Sequence, residues 1–204
     1  MQHLLKVEKL SVSFETPKGV VDAVREISFT LGKERLGIVG ESGSGKSQTG
    51  RAILGLTSKN GRVSASHILF DGADLSRMTE RDMRKIRGAR ISMIMQDPRY
   101  SLNPVMRVGE QIAEGFRVHT GASRMHAKDR TIEMLNRVKI REAEKVYNLF
   151  PHEVSGGMGQ RIMIAMMLIP EPDILIADEP TSALDVTVQL QILSILDDMV
   201  REQG

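Results

Sequence analysis

Apolar and polar positions change rhythm several times along the 204 residues of this chain. Between 5 and 14, apolar and polar residues alternate, which predicts a strand. Thr16-Pro17-Lys18-Gly19 has turn chemistry, and 20–24 and 27–31 predict two more strands before a turn at Gly32-Lys33-Glu34-Arg35. Three strands joined by short turns predict an antiparallel layer. Leu36-Gly37-Ile38-Val39 is a continuous apolar run that reads as a buried strand, and 48–56 has apolar residues at helical spacing. A turn at Asn60-Gly61 precedes a strand over 66–72, and 79–86 reads as a short exposed helix capped by Thr79. Residues 91–95 form a second buried-type strand, stopped by Asp97-Pro98. From 100 to 150 the strand signals cease. A helix opens at 108–112, and Ile132, Leu135 and Val138 space another over 127–138, so this stretch reads as a helical insertion able to move as a unit. An apolar helix over 162–168 stops at Pro170, 174–177 is a third buried strand, and 188–200 is an amphipathic helix.

Composition narrows the class. The length suits one compound domain or two small ones, and 41% hydrophobic with 26% charged residues is ordinary for a globular protein. A formal charge of +2 gives no cationic footprint for nucleic acid. Arg117, Arg124 and Lys128 are scattered and read as a solvated face. The chain has no cysteine, which excludes disulfides, a thiolate nucleophile and cysteine-ligated metal in this stretch. The five histidines lack metal-ligand spacing, and Met158, Met163, Met166 and Met167 read as core filler. No apolar run approaches the roughly 18 residues of a membrane span. A cytosolic chain is expected, one able to sit against a membrane protein.

Gly40-Glu41-Ser42-Gly43-Ser44-Gly45-Lys46-Ser47 has the P-loop pattern G-x-x-x-x-G-K-S, here between a predicted strand and a predicted helix that opens at Gln48. A polyphosphate needs several backbone N–H donors converging on it, and glycine lets the chain curl tightly enough to supply them. The helix start adds its own N–H groups. In this reading Lys46 reaches the β- and γ-phosphates and the Ser47 hydroxyl ligates Mg²⁺. Ile174-Leu175-Ile176-Ala177 runs into Asp178-Glu179, an apolar strand ending in two acids. Beside a P-loop, Asp178 is expected to hold Mg²⁺ and Glu179 to orient or deprotonate the attacking water. Ser155 is placed to cap the following helix, and Gly156-Gly157 permits an anion to approach its N-terminus. Phe14 either stacks on an adenine ring or simply fills its strand face.

The order of these motifs resembles the ATP-binding subunit of an ABC transporter along essentially the whole chain. The P-loop is followed by Gln96 after a strand, Ser155-Gly156-Gly157-Met158, Asp178-Glu179-Pro180 and Ser182-Ala183-Leu184-Asp185. The resemblance implies an α/β P-loop NTPase fold with a mainly parallel core sheet, an antiparallel β layer and a helical subdomain. Expected boundaries are 1–35 and 61–76 for the antiparallel layer, 36–60, 77–98 and 159–204 for the nucleotide core, and 99–158 for the helical subdomain. It implies that Phe14 is the adenine-stacking aromatic, Gln96 the Q-loop residue that senses Mg²⁺, water and the membrane partner, Ser155 to Met158 the signature motif, and Asp185 the D-loop acid. Glu179, Gln96 and Lys46 would be catalytic. Gly40 to Gln48, with Phe14, Ser155–Met158 and Asp185, would contact ATP, and Ser47, Gln96 and Asp178 the Mg²⁺.

Finer runs are similar to the oligopeptide, dipeptide and nickel importer subgroup. They are Gln96-Asp97-Pro98 with Ser101-Leu102-Asn103-Pro104, 151–158, and 181–187. That implies permease subunits, a second ATP-binding subunit and, indirectly, an extracytoplasmic binding protein as partners, a place on the cytoplasmic face of the inner membrane, and no nucleic-acid partner. Two ATP molecules would be sandwiched, each between one P-loop and the other subunit's signature helix. Met158 replaces the usual glutamine of the signature. The family's switch histidine and last strand are expected beyond Gly204, so a C-terminally truncated subunit is expected. A non-catalytic or fragmentary nucleotide-binding module, and a soluble ABC protein acting on nucleic acid or ribosomes, are the competing readings.

Overall fold

A computed structural model describes residues 3–96, 101–182 and 185–203. The chain divides into two compact units, Met1–Arg84 and Lys85–Gly204. The first is built on a hairpin of two long strands, β1 (Leu5–Thr16) and β2 (Gly19–Leu31). The two strands predicted over 20–24 and 27–31 are therefore one. The reason is a pair of irregularities. Lys9 and Glu26 both take positive φ, 51° and 44°, and the register shifts between Val7 and Leu10. The buried set slips accordingly from Leu5 and Val7 to Leu10 and Val12, as an extra residue in a ladder requires. The amide freed at each irregularity is taken by a serine across the hairpin: Lys9 N–H donates to Ser28 Oγ at 2.9 Å and Glu26 N–H to Ser11 Oγ at 2.9 Å. Sequence periodicity sees the interruption of the alternation at Glu26, but not the hydroxyls that absorb it.

β1 is bonded on its other side by two short strands, β3 (Gly61–Ser64) along Ser11–Phe14 and β4 (His67–Phe70) along Leu5–Glu8. β5 (Ala73–Asp74) closes this antiparallel sheet. Of these, only the strand around 67–70 was expected. The P-loop helix α1 covers Lys46–Ile53 and buries Ala52 and Ile53. The expected buried strand over 36–39 is not formed: none of the described strands pairs with it, and Leu36, Ile38 and Val39 are 45%, 48% and 96% exposed. An apolar run becomes a strand only where another backbone saturates its N–H and C=O groups. Helix α2 (Glu80–Ile86) starts where predicted, with Thr79 Oγ1 accepting from Asp82 N–H.

In the second unit, β6 (Ile91–Ile94) and β7 (Ile174–Ala177) pair in parallel, Ile91 opposite Ile174 through Ile94 opposite Ala177. All four residues of β6 are buried. The predicted stop at Asp97-Pro98, and Tyr100, lie outside the described residues. Between the strands come α3 (Val108–Thr120), α4 (Arg124–Arg137), α5 (Ala143–Tyr147) and α6 (Gly156–Leu168), and α7 (Val186–Gln203) follows β7. α3 ends at Gly121, whose φ of 71° suits glycine, and Ser123 then caps α4. Gly109 is required for packing, because a Cβ there would lie 2.1 Å from the Tyr147 ring. α6 begins six residues before the apolar stretch that predicted it. Its residues Ile162, Met163, Ile164 and Ala165 are fully buried, so the middle of the helix is enclosed on every side. It is the centre of a core shared with Ile112, Leu135, Val138, Ile192 and Ile195.

Candidate functional site

One candidate cluster belongs to the first unit. Gly43 and Gly45 take φ of 82° and 92°, and Ser44 N–H closes a turn on the Glu41 carbonyl at 3.2 Å. Gly45 cannot be replaced without distortion, since a Cβ there would come within 2.2 Å of the Ala23 carbonyl oxygen. Residues 40–44, including Ser42, are exposed. Lys46 Nζ turns back over this loop and donates to the Gly40 and Glu41 carbonyls, both at 2.8 Å. Ser47 and Gln48 lie half-buried in the first turn of α1. That helix has no side-chain cap on Gly45 and no acid in its first turn. An exposed loop with two left-handed glycines, an ammonium folded over it and an uncapped helix start is a donor set that fits a polyphosphate. Phe14 pairs with Val21 and Gly61, and a Cβ on Gly61 would approach its ring to 2.8 Å. The ring thus lies over a bare glycine and is half-exposed.

A second candidate cluster lies in the second unit at the ends of β6 and β7. Asp178 extends the ladder, its N–H donating to the Ile94 carbonyl at 3.0 Å, and it is buried. Glu179 is exposed and takes a φ of 46°. A left-handed non-glycine residue costs about 1–3 kcal/mol and persists only where its surroundings over-determine it. Gln96, also at a strand end, donates from Nε2 to Glu179 Oε2 at 2.9 Å. The structure therefore joins two residues 83 positions apart in sequence, which the parallel pairing of β6 with β7 makes neighbours.

Ser155 caps α6, its Oγ accepting from Met158 N–H at 3.4 Å. A Cβ on Gly156 would meet open space, whereas one on Gly157 would lie 3.1 Å from Val188 Cγ1. Asp185 accepts from Val188 N–H at 3.0 Å and so caps α7. Gly157 and Asp185 thus both lie against the first turn of α7. Ala183 and Leu184 lie outside the described residues. Periodicity does not reveal Gln160 and Gln189, whose side chains bond the turn after Glu179; the available signal was, for Gln160, a glutamine two residues before the apolar run 162–168. Mg²⁺ favours hard oxygen ligands, and the Ser47 hydroxyl, the Asp178 carboxylate and the Gln96 carboxamide are of that kind.

Comparison with known proteins bears on the whole of this arrangement. The chain is 52% identical over 200 residues to the oligopeptide transport ATP-binding protein OppD of Salmonella typhimurium, covering 98% of this chain and 59% of that protein. It is 49% identical over 204 residues to the dipeptide transport ATP-binding protein DppD of Bacillus subtilis, covering 99% and 61%. The chain thus spans about three fifths of the length of these curated relatives. Among solved structures, a dimeric post-hydrolysis state of an ATP-binding cassette bound to ADP and Pi superposes with a TM-score of 0.85 at 25% identity, covering 98% of this chain and 84% of that one. The pattern of the ABC transporter family matches residues 24–182, a span that takes in the glycine loop at one end and the strand-end acids at the other. A P-loop alone would not require that second half, and with both present the chain belongs to the ABC transporter family.

Proposed function

We propose that this chain is the ATP-binding and ATP-hydrolysing part of an importer subunit that drives uptake of peptides or a related small solute through a membrane permease. The observation that carries the reading is the Gln96–Glu179 hydrogen bond beside Asp178, which sets a carboxylate at a strand end in a chain that also holds a P-loop. Similarity to peptide-transport relatives supports the cargo class.

In this reading ATP is the substrate, held by the N–H groups of 40–48 and by Lys46, which exchanges its bonds to the Gly40 and Glu41 carbonyls for phosphate oxygens. Phe14 offers the outer face of its ring to the base. Ser47 and Asp178, with Gln96, would hold Mg²⁺, which when bound would offset phosphate charge. Glu179 accepts the proton of the attacking water as the water oxygen bonds to the γ-phosphorus and the bond to ADP breaks. Gln96 occupies Oε2, which directs the acceptor role to Oε1. Ser155–Met158 of a second ATP-binding subunit would contact the same nucleotide, with Asp185 at that interface, so that ATP joins the pair and hydrolysis releases it. The helical insertion over 100–150 would carry the permease-docking groove. Val105 is 83% exposed and suits such a contact, whereas Leu102 is buried. Among the described residues no helix is long and apolar enough to cross a membrane. Likeness to importer ATP-binding subunits supports a peripheral place for it at the cytoplasmic face of the membrane.

Two substitutions separate binding from chemistry. Lys46→Ala should weaken ATP binding by about 1.5–3 kcal/mol, read by calorimetry. Glu179→Gln should leave binding intact and slow hydrolysis by about 10²–10⁴-fold. Unchanged affinity in the first, or an unchanged rate in the second, would remove the corresponding assignment. Loss of binding without any hydrolysis in the parent would favour a non-catalytic module.

A further inference from the structure

We propose that Gln160 and Gln189 are positioning residues for Glu179, clamping the turn that follows it from two different helices. The proposal rests on the reading of Glu179 as the proton acceptor. Gln160 lies on α6, is 2% exposed, and donates from Nε2 to the Pro180 carbonyl at 2.5 Å. Gln189 lies on α7 and donates from Nε2 to the Thr181 carbonyl at 3.1 Å. The carbonyls of the two residues immediately after Glu179 are thus each held by a side-chain amide, one per helix. Ser182 N–H folds back to the Glu179 carbonyl at 3.0 Å, and on the other side Asp178 N–H is fixed to Ile94 at 3.0 Å. Between these ties sits the left-handed backbone of Glu179. Such a conformation relaxes toward an ordinary one unless its neighbours hold it, and relaxation would swing the carboxylate away from Gln96.

The residue type supports the same conclusion. Position 160 adjoins Ile162, Met163, Ile164 and Ala165, all fully buried, where an aliphatic side chain is the default. A carboxamide is tolerated in such a place when its hydrogen bonds are made, and here the bond is to the turn. α6 is also the helix that opens at Ser155, so its N-terminal turn and the Pro180 carbonyl are linked through five residues of one rigid element, about 7.5 Å of helix. A shift of α6 as its N-terminus engages an anion would reach Glu179 by this route.

The test uses the full-length subunit assembled with its permease and measures single-turnover and steady-state ATP hydrolysis for Gln160→Met, Gln189→Met, Glu179→Gln and the two double variants. Each methionine variant is expected to lower kcat by about 10–100-fold, the scale of a misplaced catalytic group. KM for Mg-ATP should stay within about twofold. Neither should slow Glu179→Gln further, because groups acting through one carboxylate are not additive. Full additivity in the Glu179→Gln background, or an unchanged kcat in both single variants, overturns the clamp. If Gln160→Met loses its melting transition, Gln189→Met, at a half-buried position, decides the matter by the same two readouts. A Glu179→Gln subunit that hydrolyses at the parental rate overturns the proton-acceptor reading and the clamp together. A normal loss there with additive glutamine effects overturns the clamp alone.

Discussion

Two apolar runs of four residues, Leu36-Gly37-Ile38-Val39 and Ile91-Ser92-Met93-Ile94, look alike in sequence and end differently in the fold. The second is β6, buried along its whole length and paired in parallel with β7. The first is unpaired by any described strand, and Val39 is 96% exposed. Propensity alone does not explain this: Gly37 weakens the first run, but its isoleucine and valine favour strands at least as well as the methionine and serine of the second. What differs is a partner. Nearly eighty residues beyond β6, the chain returns with Ile174–Ala177 in the right register and supplies the backbone groups that β6 lacks. The consequence reaches the site. Gln96, Asp178 and Glu179 sit at the end of a ladder, whereas the P-loop is shaped by its own glycines, by α1 and by the close approach of Gly45 to Ala23.

The comparison breaks first on core truncation. Ile94→Ala removes a fully buried side chain and should cost about 2–5 kcal/mol of stability. Val39→Ala should stay within about 0.5 kcal/mol. Denaturant unfolding of this chain measures both, and similar costs would show that 36–39 is buried in solution. Acid is expected to separate the units next. In the first, burial works to raise the Asp74 carboxyl, but hydrogen bonds from Ser76, His67 and the Ile68 and Ser76 amides outweigh it and hold the group well below the usual carboxylate range. A depressed folded-state pKa gives stability that is present above the unfolded value of about 3.9 and is lost as pH falls below it. Asp74→Asn should therefore cost about 1.5 kcal/mol near pH 7, with the deficit shrinking in acid. A deficit independent of pH would mean that the ionised form is not what the network favours. The smallest effect concerns the two helix starts. Ser155→Ala removes the cap of α6 and should cost about 1 kcal/mol, whereas Gly45 gives α1 no side-chain cap to remove. A melting temperature unmoved by Ser155→Ala would place the Met158 amide with another partner.

Sequence by itself determined what depends on neighbours along the chain. The alternation of β1, the spacing of Ile132 and Leu135 in α4, the caps at Thr79 and Ser155, the glycines of the P-loop and the acids at the end of β7 were all legible. Each is a local statement about burial, backbone freedom or charge. Tertiary structure alone decided what depends on distant backbone. It merged two predicted strands into β2 through serines 15 and 19 residues from the amides they bond. It paired β6 and withheld a partner from 36–39. It brought Gln96 to Glu179 and set Gln160 and Gln189 on the turn that follows Glu179. A hydrophobic pattern states that a segment is able to be buried, but a hydrogen bond needs a particular second atom, and which residue supplies it is fixed only when the chain has folded back on itself.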